Sequence, residues 1–141
     1  MELNSEEILH NIVRINGYSN MGAVIKSGTG IMYRIPYQDN LAYETVITNK
    51  HVLEGCDYYK VFFKATNNQG KYSSGSEKYV DFFPQDCSYH PDEDIDLVTI
   101  NISPYLNELY SQGVSLLLTS VTQEQMPILV LLLTLTDNLG L

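Results

Sequence analysis

His51 and Asp96 are the residues of this chain whose types and settings suit proton-transfer chemistry. The run Thr45-Val46-Ile47-Thr48-Asn49-Lys50-His51-Val52 puts a histidine on a polar turn directly after a β-branched stretch. The run Asp94-Ile95-Asp96-Leu97-Val98-Thr99-Ile100 puts a carboxylate directly before a second apolar stretch. An imidazole changes charge near neutral pH, so a held histidine can take a proton from a nucleophile, while a carboxylate can fix its tautomer. At the mouth of a buried strand a carboxylate persists only with partners such as an imidazole N–H. Such a pair needs a third member, a nucleophile exposed in a glycine-rich turn. Each residue also has a plainer reading. His51 could be a turn histidine without a task, and Asp92-Glu93-Asp94-Ile95-Asp96 a solvated acidic loop.

Two rival motifs fail on spacing. Asp92, Asp94 and Asp96 alternate as in a calcium loop, but the required glycine would fall at Leu97 and the bidentate glutamate at Ser103. A metal site on His90, Asp92 and Asp94 is the weakest reading of that segment, so no metal or cofactor is expected. Ser27-Gly28-Thr29-Gly30-Ile31 carries no GK[ST] and opens no helix, so it is not a phosphate loop. Two glycines within a strand instead indicate a bulge or a close backbone approach.

The bulk properties narrow the class. A chain of 141 residues is by length one domain, or one domain and a remnant of another. Its 44% hydrophobic and 18% charged composition is that of a soluble globular chain able to bury a core without staples. Its net charge of −9 would repel a phosphate backbone, which argues against nucleic acid as a partner. Cys56 and Cys87 have no CxxC spacing and read as structural thiols in a reducing compartment, the alternative being one disulfide in an exported protein. The N-terminus, Met1-Glu2-Leu3-Asn4-Ser5-Glu6-Glu7, is acidic where a secretory signal is basic and then apolar. The apolar run Ile128 to Leu135 is far shorter than the roughly 20 residues that span a bilayer. A cytoplasmic protein without membrane partners is the expectation.

The elements that must position the pair are strands. Asn4 or Ser5 can cap a short helix over residues 1–11, with Ile8 and Ile12 on its apolar face. Alternation then begins, with Val13 and Ile15 against Arg14 and Asn16. Further strands are predicted near 23–34, 43–48, 58–66, 79–83 and 96–102. Turns fall at Pro36-Tyr37-Gln38-Asp39-Asn40, Asn67-Asn68-Gln69-Gly70 and Ser73-Ser74-Gly75-Ser76. Six short strands so punctuated predict an all-β fold, a small antiparallel barrel or sandwich over residues 12–113. Pro104 opens a short helix to about residue 111, with Leu106, Leu109 and Tyr110 on its face.

Residues 114–141 differ from the rest. All 15 Tyr and Phe lie at or before Tyr110, while the segment from Ser115 holds ten leucines and only Glu124 and Asp137 as charges. A domain edge, an interaction tail or a reading-frame change could each produce such a break. The abrupt loss of aromatic and charged usage fits a frame change best.

In chain order the segments run Ser-Gly-Thr-Gly, a hairpin, Thr48-Asn49-Lys50-His51-Val52, then Asp94-Ile95-Asp96-Leu97-Val98. This order resembles the N-terminal half of the trypsin-like, chymotrypsin-fold serine peptidases, in the intracellular bacterial style without an activation propeptide. The likeness covers about residues 12–103, the first of the family's two β-barrels. It implies His51 as the general base in the [TS]-x-x-H-V motif opened by Thr48, Asp96 as the residue orienting it, and Gly28 and Gly30 lining the barrel beneath. The family's nucleophile lies in a G-[DN]-S-G turn of its second barrel, whose backbone N–H groups form the oxyanion hole. This chain contains no Gly-x-Ser-Gly. After Asp96 its glycines are Gly113 and Gly140, and Ser103, Ser111, Ser115 and Ser120 lie in no such turn. The resemblance therefore implies a peptide-bond hydrolase by descent that lacks its nucleophile, with peptide or protein as the substrate of an intact relative. The alternative is a non-catalytic peptide- or protein-binding module, associating through surface that a second barrel would cover.

Overall fold

The structure, a computed structural model, describes residues 11–39, 41–66, 72–114, 116 and 120. The expected N-terminal helix, the turn at 67–70 and nearly all of the leucine-rich tail lie outside the described residues. The strands are β1 Ile12–Tyr18, β2 Val24–Gln38, β3 Leu41–Thr48, β4 Tyr58–Thr66, β5 Tyr72–Phe82, β6 Cys87–Tyr89 and β7 Val98–Asn101. One helical turn, α1 (Lys50–Leu53), follows β3, and a second helix, α2 (Ser103–Ser111), follows β7. The strands pair antiparallel in the order β5-β4-β1-β2-β3-β7-β6 and curl into a half-barrel.

Period-two alternation explains which side is filled. Val13 and Ile15 of β1, Tyr59, Val61 and Phe63 of β4, Val80 and Phe82 of β5, and Val98 and Ile100 of β7 are buried in one cluster. Ile102 and Leu106 join it at the start of α2. Burying a side chain of this kind contributes about 1.5–3 kcal/mol, so the concave face supplies most of the folding drive. The convex face of β1, β4 and β5 covers its aromatic rings with cations. The Arg14 guanidinium lies 4.1 Å from the centre of the Phe62 ring, and the Lys60 ammonium 3.9 Å from that of Tyr79.

β2 joins the two halves of the sheet. Its first half pairs with β1 and its second with β3, and Ile31 has a partner on both sides, Ile12 and Ile47. The expected turn at Pro36 is instead the last stretch of β2. Pro36 pairs with Ala42, beyond the part of β2 that β1 pairs, and there a missing N–H breaks no ladder. The expected turn at Ser73–Ser76 also lies within a strand. Lys64 pairs with Glu77 and Thr66 with Tyr72, so these four residues are an irregular excursion of β5. β6 was not anticipated: three residues pairing only with β7 leave too short a pattern to detect. The last predicted strand starts later than expected, at Val98, leaving Asp96 and Leu97 in the loop before it.

The edge strands β5 and β6 are joined by a 3-10 turn, Pro84–Asp86. At this turn Tyr105 of α2 donates to Asp86 Oδ2 at 2.7 Å. On the expected apolar face of α2, Leu106 is buried and Leu109 packs on the core, but Tyr110 is half-exposed.

Gly28 and Gly30 of β2 are a close approach and not a bulge, since the β1–β2 register runs unbroken through them. A Cβ on Gly30 would stand 2.5 Å from Val46 Cγ1 and 2.9 Å from Ile15 Cδ1. A Cβ on Gly28 would stand 2.7 Å from Val52 Cγ2. The Ile15 methyl is a flexible tip, but Val46 is stiff at χ1 and cannot turn away cheaply. Gly30→Ala is therefore expected to destabilise the fold by about 1–3 kcal/mol. Urea titration reads this directly, and an unchanged midpoint would show that the sheet can open at this point.

Candidate functional site

Thr48, the last residue of β3, pairs with Val98, the first of β7. Just past this pair the chain leaves β3 as Asn49-Lys50-His51 and approaches β7 as Asp96-Leu97, so the antiparallel register brings the two segments together. Thr48 is fully buried, and its hydroxyl donates to the Thr29 carbonyl at 2.7 Å, tying the end of β3 to β2. α1 then begins, and its Val52 side chain fills the space above Gly28. Small residues in β2 thus let the histidine-bearing turn lie flat against the sheet.

His51 and Asp96 meet. The His51 Nδ1–H donates to Asp96 Oδ2, and the His51 backbone N–H donates to Asp96 Oδ1 at 3.1 Å. An ionised carboxylate only accepts, so this contact places the ring proton on Nδ1. Both side chains are about half-exposed, at 54% for His51 and 46% for Asp96. The carboxylate is not held at the mouth of a buried strand: it sits in the loop ahead of β7, where water reaches it. Burial raises the Asp96 carboxyl, but hydrogen bonds from the His51 ring and from the His51 and Lys50 backbone outweigh it and hold the group below its ordinary value.

Neighbours not singled out by type or spacing complete the arrangement. Asn49 Nδ2 donates to the Asp96 carbonyl at 2.8 Å. Lys50 Nζ donates to the carbonyls of His90 at 2.9 Å and Asp92 at 3.1 Å. Lys26 Nζ donates to the His51 carbonyl at 2.7 Å. Only a signal pairing positions about fifty residues apart could have found the first two. In the loop itself, His90 Nδ1 accepts from the Asp92 N–H and Asp92 Oδ1 from the Asp94 N–H. Among the described residues no cluster of three or more His, Cys, Asp or Glu is placed to hold a metal ion.

Beside the pair lies an open depression of about 600 Å³ whose lining includes His51, Asp96, Lys50, Cys56, Tyr59 and Tyr89. Cys56 and Cys87 are free thiols. Burial raises the Cys56 thiol, Lys26 lowering it in part, and burial followed by Asp86 pushes Cys87 up to about 12. Neither is a ready thiolate, so the depression holds no activated sulfur nucleophile.

The described serines after Asp96 are committed elsewhere. Ser103 Oγ accepts from the Glu44 N–H at 2.7 Å, Ser111 Oγ donates to the Glu108 carbonyl at 2.7 Å, and Ser120 Oγ donates to Glu44 Oε2. From Glu44, midway along β3, to Thr48 the strand runs about 13 Å at roughly 3.3 Å per residue, so Ser103 and Ser120 are held away from the histidine turn. Ser115 lies outside the described residues. No described helix is long and apolar enough to cross a membrane.

Comparison of the chain with protein-family models, curated proteins and solved structures gives no match.

The depressed Asp96 carboxyl has a consequence for stability. Its folded value lies below its unfolded value, so its contribution is present above about pH 4 and lost as pH falls through the folded value. The stability difference between the native chain and Asp96→Asn should therefore be largest near neutrality and shrink below about pH 4. Urea titrations of both proteins at pH 7 and pH 2.5 measure it, and a gap that widens on acidification would contradict the assignment.

Proposed function

We propose that this chain carries the base half of a trypsin-like serine peptidase site. His51 is the general base, and Asp96 fixes its tautomer and stabilises the imidazolium. The observation that carries this reading is the double contact of one carboxylate with the His51 Nδ1–H and the His51 backbone N–H, at the end of a curled antiparallel sheet. Holding the proton on Nδ1 leaves the Nε2 lone pair as the basic position, the state a base needs in order to accept a hydroxyl proton. The order of the glycine, histidine and aspartate segments along the chain supports the same reading. So do Gly28 beneath α1 and the Thr48 anchor.

Serine chemistry also needs a nucleophile and oxyanion donors. In this proposal they come from a second polypeptide segment, such as the second barrel of a two-barrel peptidase, and the chain by itself does not cleave peptides. A fluorophosphonate probe should label no serine of the purified chain, and casein should stay intact. The base is tested separately with an activated ester such as p-nitrophenyl acetate, which an imidazole can hydrolyse unaided. His51→Ala is expected to lower that rate several-fold, and Asp96→Asn to lower it too, with His90→Ala as the neutral control. Labelling of any serine, or a rate indifferent to His51→Ala, would overturn the assignment.

A second reading, a non-catalytic peptide- or protein-binding module, draws on one observation. Met21 is 95% exposed at the β1–β2 turn, with Val24 and Ile25 about half-exposed beside it. Binding that persists unchanged in His51→Ala would favour this reading over the first.

A further inference from the structure

Asn49 is at odds with its surroundings. It is buried, at 6% exposure, and its Oδ1 has no hydrogen-bond partner among the described residues. The amide cannot simply be turned over, because the Asp96 carbonyl facing it is an acceptor and requires the nitrogen on that side. A buried acceptor without a donor is a cost to stability that an apolar residue of the same size would avoid. The compensating feature is at the other end of the side chain. Asn49 Nδ2 binds the backbone of the residue whose carboxylate holds His51, and Asn49 lies two residues before that histidine.

We propose that Asn49 is a positioning residue for the His51–Asp96 pair. The proposal rests on the reading of His51 as a base. The backbone bonding beside β7 ends at Leu97, whose carbonyl accepts from the His90 N–H at 3.0 Å, and Asp96 lies one residue beyond it in the loop. Besides the His51 ring itself, two side chains reach that loop from the histidine turn. Lys50 does so through a long stem to His90 and Asp92. Asn49 does so through a short, buried amide to Asp96 itself. The short link allows little movement of the Asp96 carbonyl relative to the turn. It thereby sets where the carboxylate can meet both the ring N–H and the backbone N–H of His51. Lys50 restrains the far side of the loop and leaves the last step to Asn49.

The test is hydrogen exchange by NMR on the full chain, comparing the native protein with Asn49→Leu. The readouts are the His51 backbone N–H, which donates to Asp96 Oδ1, and the hydrogen-bonded ring N–H of His51. Core amides such as Val46 and Ile100 report global opening. Loss of the link should speed exchange at both His51 protons roughly three- to tenfold, the range set by one net hydrogen bond, while the core amides stay unchanged. Should Asn49→Leu fail to fold, Asn49→Ala replaces it, since it removes the amide donor without adding bulk or a buried charge. Unchanged exchange at His51 overturns the proposal. So does a rise shared equally by the core amides, which would make Asn49 a structural residue only. The ester assay on His51→Ala fails or succeeds independently, so loss of the base reading and loss of the Asn49 assignment are told apart.

Discussion

Thr48 stands opposite Val98 across the β3–β7 pair, and the contacts of the candidate site follow from that register. Side chains alternate faces with a period of two, so a slip of one residue would send Val98 and Ile100 outward and pull Thr99 into the core. The apolar concave face forbids that slip, because both residues are fully buried there. Packing in the barrel thus decides where Asp96 emerges relative to His51. A polar pair at the surface is positioned by hydrophobic residues that never touch it.

A second constraint works from below. The curl of the sheet and the seating of α1 need backbone where β2 passes beneath Val46 and Val52, and glycine is the residue without a side chain to interfere. Gly17 of β1 does the same for Cys56, whose sulfur would lie 2.3 Å from a Cβ there. That thiol fills a notch beside the depression, and burial keeps it protonated and inert. The cysteine that lines the depression together with the candidate base is thereby a packing group, and it is a free thiol.

In the proposed chemistry the division of labour is uneven. Base, orienting carboxylate and their backbone tethers come from one end of the half-barrel. The hydroxyls of Ser103 and Ser120 are bound to Glu44, midway along β3. A strand is too stiff and too long for those hydroxyls to reach the histidine. The geometry offers a proton acceptor facing an open depression, with the reacting group to be brought from elsewhere.

Much of the fold was legible in the residues. Alternation in Ile12–Asn16, β-branched runs at 43–48 and 96–102, and the proline at 104 signal strands and a helix through short-range rules of sterics and burial, which neighbours within a few residues decide. The excursion at Ser73–Ser76 and the continuation of β2 through Pro36 were not legible. β3 pairs Pro36 and Gln38, and β4 pairs Tyr72 and Glu77 on either side of the excursion, so long-range pairing overrides the local preference for a turn. For the site, the sequence by itself determined the chemical types: an imidazole after one apolar run and a carboxylate before another. Only the tertiary structure decided that the two touch, that Asp96 is half in water, and that Asn49 and Lys50 are its tethers. Those relations depend on pairing segments some fifty residues apart, and the β3–β7 register is set by the whole core, not by any local run of residues.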